Sequence, residues 1–161
     1  MALFFRSPFL TTIVAGFIAG TLDVVLAVLF LAHGNTSGTL RYIAKGAFGS
    51  IVYEAGDRAL WAGAAIHYFI AFCFALGYFM IYPYFPILRR QKVGAGLLYG
   101  FFIWCFMRFL ILPLTYTPPP PFIITQTWKN IVILMASVGL PISIITAKYY
   151  SSKHPASGKI A

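Results

Sequence analysis

The sequence predicts an all-α integral membrane protein: a four-helix bundle of spans with a short interfacial helix between spans one and two. Three observations predict it. Of 161 residues, 60% are apolar and only 9% charged, against about 25% charged in an ordinary soluble domain. The mean hydropathy is +0.84. Four apolar runs each reach the roughly 20 residues that a helix needs to cross a bilayer. Such a chain lacks the polar side chains to cover a water-facing surface, which excludes a soluble enzyme, a nucleic-acid binder and a disordered protein. The expected spans are 8–32, 59–82, 93–112 and 127–149, followed by a tail at 150–161, in a single transmembrane domain over 1–161.

Span one, Pro8 to Ala32, contains a single acid, Asp23. Its length exceeds the 7–15 apolar residues typical of a cleaved signal, so it reads as a retained helix. The connection from His33 to Arg58 carries Leu40, Ile43, Ala47 and Ile51 at helical spacing, with Arg41 and Lys45 expected to turn away. That pattern suits an amphipathic helix in the interface. Asp57 stands where a carboxylate caps the next helix, and Glu54 and Arg58 are spaced to pair. Span two, Ala59 to Tyr82, contains His67, and span three, Val93 to Leu112, contains Arg108. Four prolines, Pro118 to Pro121, cannot continue a helix and are expected to run extended, as a rigid spacer or, alternatively, a docking surface for a partner. Span four, Thr127 to Tyr149, carries Pro141.

The cations set the orientation. The net charge of +9 comes from 12 Lys and Arg scattered along the chain, and a membrane topology accounts for it without a nucleic-acid partner. One side holds Arg6, Arg89, Arg90, Lys92, Lys148, Lys153 and Lys159, and the other Arg41, Lys45, Arg58 and Lys129, with Arg108 left out as intramembrane. Seven against four places both termini in the cytoplasm.

Small residues mark the packing faces, because close approach of helices in lipid depends on them. Gly16, Gly20, Asp23 and Ala27 share one face of span one, and Gly63, His67 and Ala71 one face of span two. Gly96, Gly100, Trp104 and Arg108 line span three, and Ala136, Gly139, Ser143 and Ala147 line span four. Three of these faces also carry the ionisable residue. Counted from the outer helix ends at 1.5 Å per residue, Asp23 lies about 14 Å deep, His67 about 12 Å and Arg108 about 6 Å. Ser137 falls at a level where it can join them. Ionisable groups at membrane depth normally face the bundle interior and pair with one another. The sequence therefore supports two readings of one polar cluster. It is either a buried Asp23–Arg108 pair flanked by His67 that fixes register, or a polar, proton-handling pocket open to the outside.

Other chemistries find little support. His67 is the only histidine well inside a span, so bis-imidazole haem ligation is disfavoured, and neither a metal set nor any other cofactor is expected. Ser137, His67 and Asp23 have the composition of a hydrolase triad but no nucleophile-turn motif, so no catalytic residue is assigned. Cys73 and Cys105 lie mid-span, where packing is the default.

The segments GTLD (20–23), IAKGAFG (43–49), HYFIAF (67–72), GLLYG (96–100), LILPLT (110–115) and GLP (139–141) occur in the order seen in one family, as does FALGYF followed by YFP within 74–86. Over most of 10–145 the chain resembles small bacterial four-span inner-membrane proteins of unknown function, loosely related to the YagU-like group. The resemblance implies Asp23 and His67 as characteristic polar positions. It departs at Arg108, where similar proteins more often show His or Asn, and at 134–138, which lack the further His that relatives often carry before GLP. The expected function is that of a multi-pass inner-membrane protein, small and transporter-like or proton-linked. The alternative is a non-catalytic accessory or assembly subunit of a larger complex. Its expected partners are the lipid bilayer and a membrane-protein partner or second copy.

Overall fold

The structure, a computed structural model, describes residues 7–117 and 121–153; Arg6, Pro118 to Pro120 and the tail beyond Lys153 lie outside the described residues. The described residues form seven α-helices: α1 Pro8–Phe30, α2 Thr36–Phe48, α3 Arg58–Ile81, α4 Pro86–Arg90, α5 Lys92–Phe106, α6 Ile124–Leu134 and α7 Leu140–Lys153. No strand occurs among the described residues. Four continuous rods, Pro8–Phe30, Arg58–Ile81, Lys92–Leu114 and Ile124–Lys153, are long and apolar enough to cross a membrane. This is the all-α four-helix bundle the composition predicts, and it makes the chain a multi-pass membrane protein.

The third and fourth rods are not plain α-helices. Span three continues from α5 through a π-helical turn, Met107–Ile111, into a 3-10 turn, Leu112–Leu114. Span four joins α6 to α7 through a π-helical turn, Met135–Gly139. Each π turn lies just ahead of a proline, Pro113 or Pro141. Proline has no N–H to give the carbonyl four residues back, and its ring crowds that carbonyl. The freed carbonyls, on Phe109 and Ser137, fall inside the two π turns, where a widened turn accommodates them. In span four the widening changes which residues face inward. Ala136, expected on the packing face, is exposed, whereas Ser137, Val138 and Gly139 are all buried.

Close contacts follow the glycines. On α1, a Cβ at Gly16 would meet Phe72 and one at Gly20 would meet Tyr68 and Ala71, so α1 lies against α3 through bare backbone. Gly96 and Gly100 of α5 face Gly139, Leu134 and Met135 of span four in the same way. Gly63 differs from the expected span–span contact. Its missing side chain makes room for the Leu40 backbone of α2.

The connection between spans one and two is accordingly docked on the bundle. His33 and Gly34 adopt positive φ and turn the chain, and the Asn35 side chain caps α2 by accepting from the Gly38 N–H at 2.8 Å. Ala44 is the buried residue of α2, while Ala47 and Ile51, expected on the apolar face, are exposed. The contact with α3 is made instead by the Leu40–Ala44 line, because Gly63 lets the α2 backbone approach there. Asp57 does not cap α3 with its side chain; its carboxylate lies 3.8 Å from Arg41. Glu54 and Arg58 do not pair either, since Gly56 at φ +57° breaks the chain between them and they never share a helix.

On the side of the termini the bundle closes with aromatic rings. The Tyr78 ring lies tilted at 4.7 Å from Tyr99, and Tyr82 stacks at 4.9 Å from Tyr150. Ser143 Oγ donates to the Lys92 carbonyl at 2.7 Å, which uses its only hydrogen, so Tyr78 donates to Ser143 at 2.8 Å.

Candidate functional site

A cavity of about 650 Å³ opens on the side of the bundle opposite the termini. All four spans line it, span two through His67, while α2 covers one flank and Pro121 borders its mouth. Asp23, His67 and Arg108, drawn from three different spans, all line it. Small residues make that convergence possible. Gly20 brings α1 onto α3 one turn from Asp23, and Gly100 brings α5 onto span four ahead of Arg108.

Asp23 sits at depth beside span four. Ser137 Oγ donates to Asp23 Oδ1 at 3.0 Å and also stands 2.7 Å from the Ile133 carbonyl. One hydroxyl carries one hydrogen, so it cannot serve both oxygens fully while both only accept. The missing hydrogen has to come from elsewhere: a proton on Asp23, or an N–H brought into the cavity by a ligand. His67 donates from Nε2 to the Gly20 carbonyl at 2.8 Å. That bond fixes the ring against α1 and leaves Nδ1 as an acceptor in the neutral tautomer.

Arg108 is placed differently from the expected buried pair. No ion pair with Asp23 forms; among the described residues the one ion pair is Arg41–Asp57. The guanidinium lies 5.9 Å over the Phe122 ring, toward the mouth. The π turn and 3-10 turn at the end of span three carry Arg108 toward the rim, and Phe122 offers it a π face there. Ser137 is buried with 1% exposure and holds Asp23 in Arg108's stead.

Several lining residues escaped the sequence reading. Gln126 and Asn130 border the cavity and, with the expected Ser137, form a polar line along span four, four and seven residues apart. That spacing was the available signal. Thr39 and Tyr42 of α2 add hydroxyls. Burial pushes the Tyr42 hydroxyl above its ordinary range, while Arg108 and then Lys45 pull it down. The phenol therefore stays a neutral donor near the Arg108 charge. Cys73, expected to be packed, is exposed on the outer face of α3. Among the described residues no three His, Cys, Asp or Glu side chains gather around one point as a metal site.

No protein-family model, curated protein or solved structure matches the chain.

Proposed function

We infer that the protein is a small transporter-like, proton-linked protein of a bacterial inner membrane, with both termini cytoplasmic and the pocket open to the outside. One observation carries this reading: ionisable residues from three spans line a single cavity at membrane depth and form no ion pair within it. Such groups are costly in a bilayer, and they mark pathways and proton relays. The hydrogen count at Ser137 supports Asp23 as the group that gains and loses the proton. The excess of Lys and Arg on the side of the termini supports the orientation, and the resemblance to YagU-like proteins supports the bacterial setting.

The test uses purified protein in vesicles holding a trapped pH-sensitive dye, with the membrane potential clamped. An imposed pH gradient is expected to collapse faster than in protein-free vesicles. Asp23→Asn at equal protein load is expected to return the rate to the protein-free value. Equal rates for wild type and Asp23→Asn overturn the reading.

A second reading, the non-catalytic accessory subunit, draws support from a groove of about 420 Å³ between α1 and α3, lined by apolar residues such as Phe9, Phe69 and Leu76. Purification from native membranes distinguishes the two, because an accessory subunit brings a stoichiometric partner with it.

A further inference from the structure

The pocket holds two ionisable groups of opposite sign, one in its interior and one toward its mouth. Asp23 meets Ser137, which is 1% exposed, whereas Arg108 lies over Phe122, which is 63% exposed. They line one cavity but form no ion pair. Each has a neutral partner instead: the Ser137 hydroxyl at Asp23 and the Phe122 ring at Arg108. A neutral partner does not cancel a charge in a low-dielectric setting, so the guanidinium attracts an anion and Asp23, once it gives up its proton, attracts a cation.

We propose that the pocket binds a zwitterion, its ammonium end at Asp23 and its carboxylate or phosphate end at Arg108. The buried Ser137 and the exposed Phe122 set the order, with the ammonium entering first and the anionic end staying near the rim. The guanidinium fork suits a carboxylate or phosphate. Near the anionic end, Tyr42 is a neutral hydroxyl donor. Near the ammonium, the His67 ring presents Nδ1 as an acceptor, because its other nitrogen is committed to Gly20. The volume of about 650 Å³ holds an ω-amino acid with room for water, or the headgroup of an ethanolamine lipid. This assignment rests on the pocket reading given above and adds its ligand class.

The experiment measures thermal unfolding of the purified full chain in detergent at fixed ionic strength. The probes are γ-aminobutyrate, n-propylamine and butyrate, which carry both charges, the positive one alone and the negative one alone. A phosphatidylethanolamine and a phosphatidylglycerol, added as mixed micelles, form the lipid arm. A saturating ligand shifts a chain of this size by about 5 °C. The expected result is a larger shift with γ-aminobutyrate than with either single-charge analogue. In Arg108→Gln that advantage over n-propylamine disappears, and in Asp23→Asn the advantage over butyrate disappears. If the free solutes do nothing but phosphatidylethanolamine stabilises and phosphatidylglycerol does not, the zwitterion stands and its source is lipid. Equal shifts from γ-aminobutyrate and one of its single-charge analogues, or no shift from any probe, overturn the proposal. The wild-type arms decide this even where a variant does not fold. Because proton flux is measured separately, loss of zwitterion selectivity with flux intact removes this inference alone, and loss of flux removes the pocket reading beneath it.

Discussion

Ser137 is the residue on which the site turns, because its single hydroxyl links span four to the carboxylate of span one. Replacing it with alanine removes an interhelical hydrogen bond, and such bonds in membranes contribute on average about 0.6 kcal/mol and at most about 1.7. Unfolding in graded denaturing detergent is expected to show a loss in that range for Ser137→Ala. A double-mutant cycle makes the contact specific. Asp23→Ala with Ser137→Ala should couple by at least about 0.5 kcal/mol. Asp23→Ala with Arg108→Gln should couple less, since the guanidinium faces Phe122 across the open cavity. A larger coupling to Arg108 would restore the buried ion pair. The sequence showed that Asp23, His67 and Arg108 belong to one site, because charge at membrane depth is rare enough to be read directly. It did not show their partners. Pairing by depth assumes that each side chain extends toward the other, and Arg108 instead takes the aromatic face offered by Phe122. The Glu54–Arg58 pair was misread for a related reason: the four-residue rule presumes one continuous helix, and Gly56 ends it.

Among the elements, the glycine contacts between α5 and span four are among the tightest, and they predict a graded response to substitution. At Gly139 an added Cβ would collide with the Gly96 carbonyl and the Gly100 backbone, neither of which can swing aside. Gly139→Ala is therefore expected to cost at least the 1–3 kcal/mol, approximately, of overpacking. At Gly77 the only close neighbour is the Tyr99 hydroxyl at 3.6 Å. Gly77→Ala should stay within about 1 kcal/mol of wild type, on the favourable side by helix propensity. Gly63→Ala should act on α2 rather than on the spans, because its obstacle is the Leu40 carbonyl. Hydrogen exchange is expected to rise over residues 36–48 with the span amides unchanged. Hydropathy made the four rods legible, with ends within a few residues of those observed. The docking of α2 was hidden because amphipathic spacing looks the same whether the helix lies on lipid or on another helix.

At the scale of the whole molecule, exposed aromatics mark two levels. Trp61 and Trp128, each near the start of its span on the pocket side, are 78% and 64% exposed. Tyr84 stands at the other end at 80%. Indole and phenol rings favour the headgroup boundary, so these residues outline the bilayer. Brominated lipids should quench Trp61 and Trp128 most strongly when the bromine lies near the carbonyl level, and Trp104, 8% exposed, little at any depth. Single Trp→Phe replacements separate the signals. For sidedness, the exposed Tyr116 is a better labelling position than its buried neighbour Thr117. A cysteine at Tyr116 and one at Ser152 should react from opposite sides of the membrane. Reaction of both from the same side would overturn the bundle's topology.

The widened turn in span four has a consequence for angular phase. An α-helix advances about 100° per residue, so offsets of seven and eleven residues return to nearly the same face. Continued upward from Ser143 without interruption, the helix would bring Ala136 and Val132 inward. Both are exposed, and Ile133 and Ser137 are buried in their place. The bundle's two ends thus read span four on different phases: one set by glycine packing below, the other by the hydroxyl and amide line above. A chain shortened by one residue between 135 and 139 could regain a regular helix while losing only about 1.5 Å of length. It would still cross the bilayer and still pack through Gly139, but Asn130 and Leu134 would swing by about 100° out of the cavity. Such a deletion separates having a membrane fold from having a pocket, and it does so without touching a charged residue.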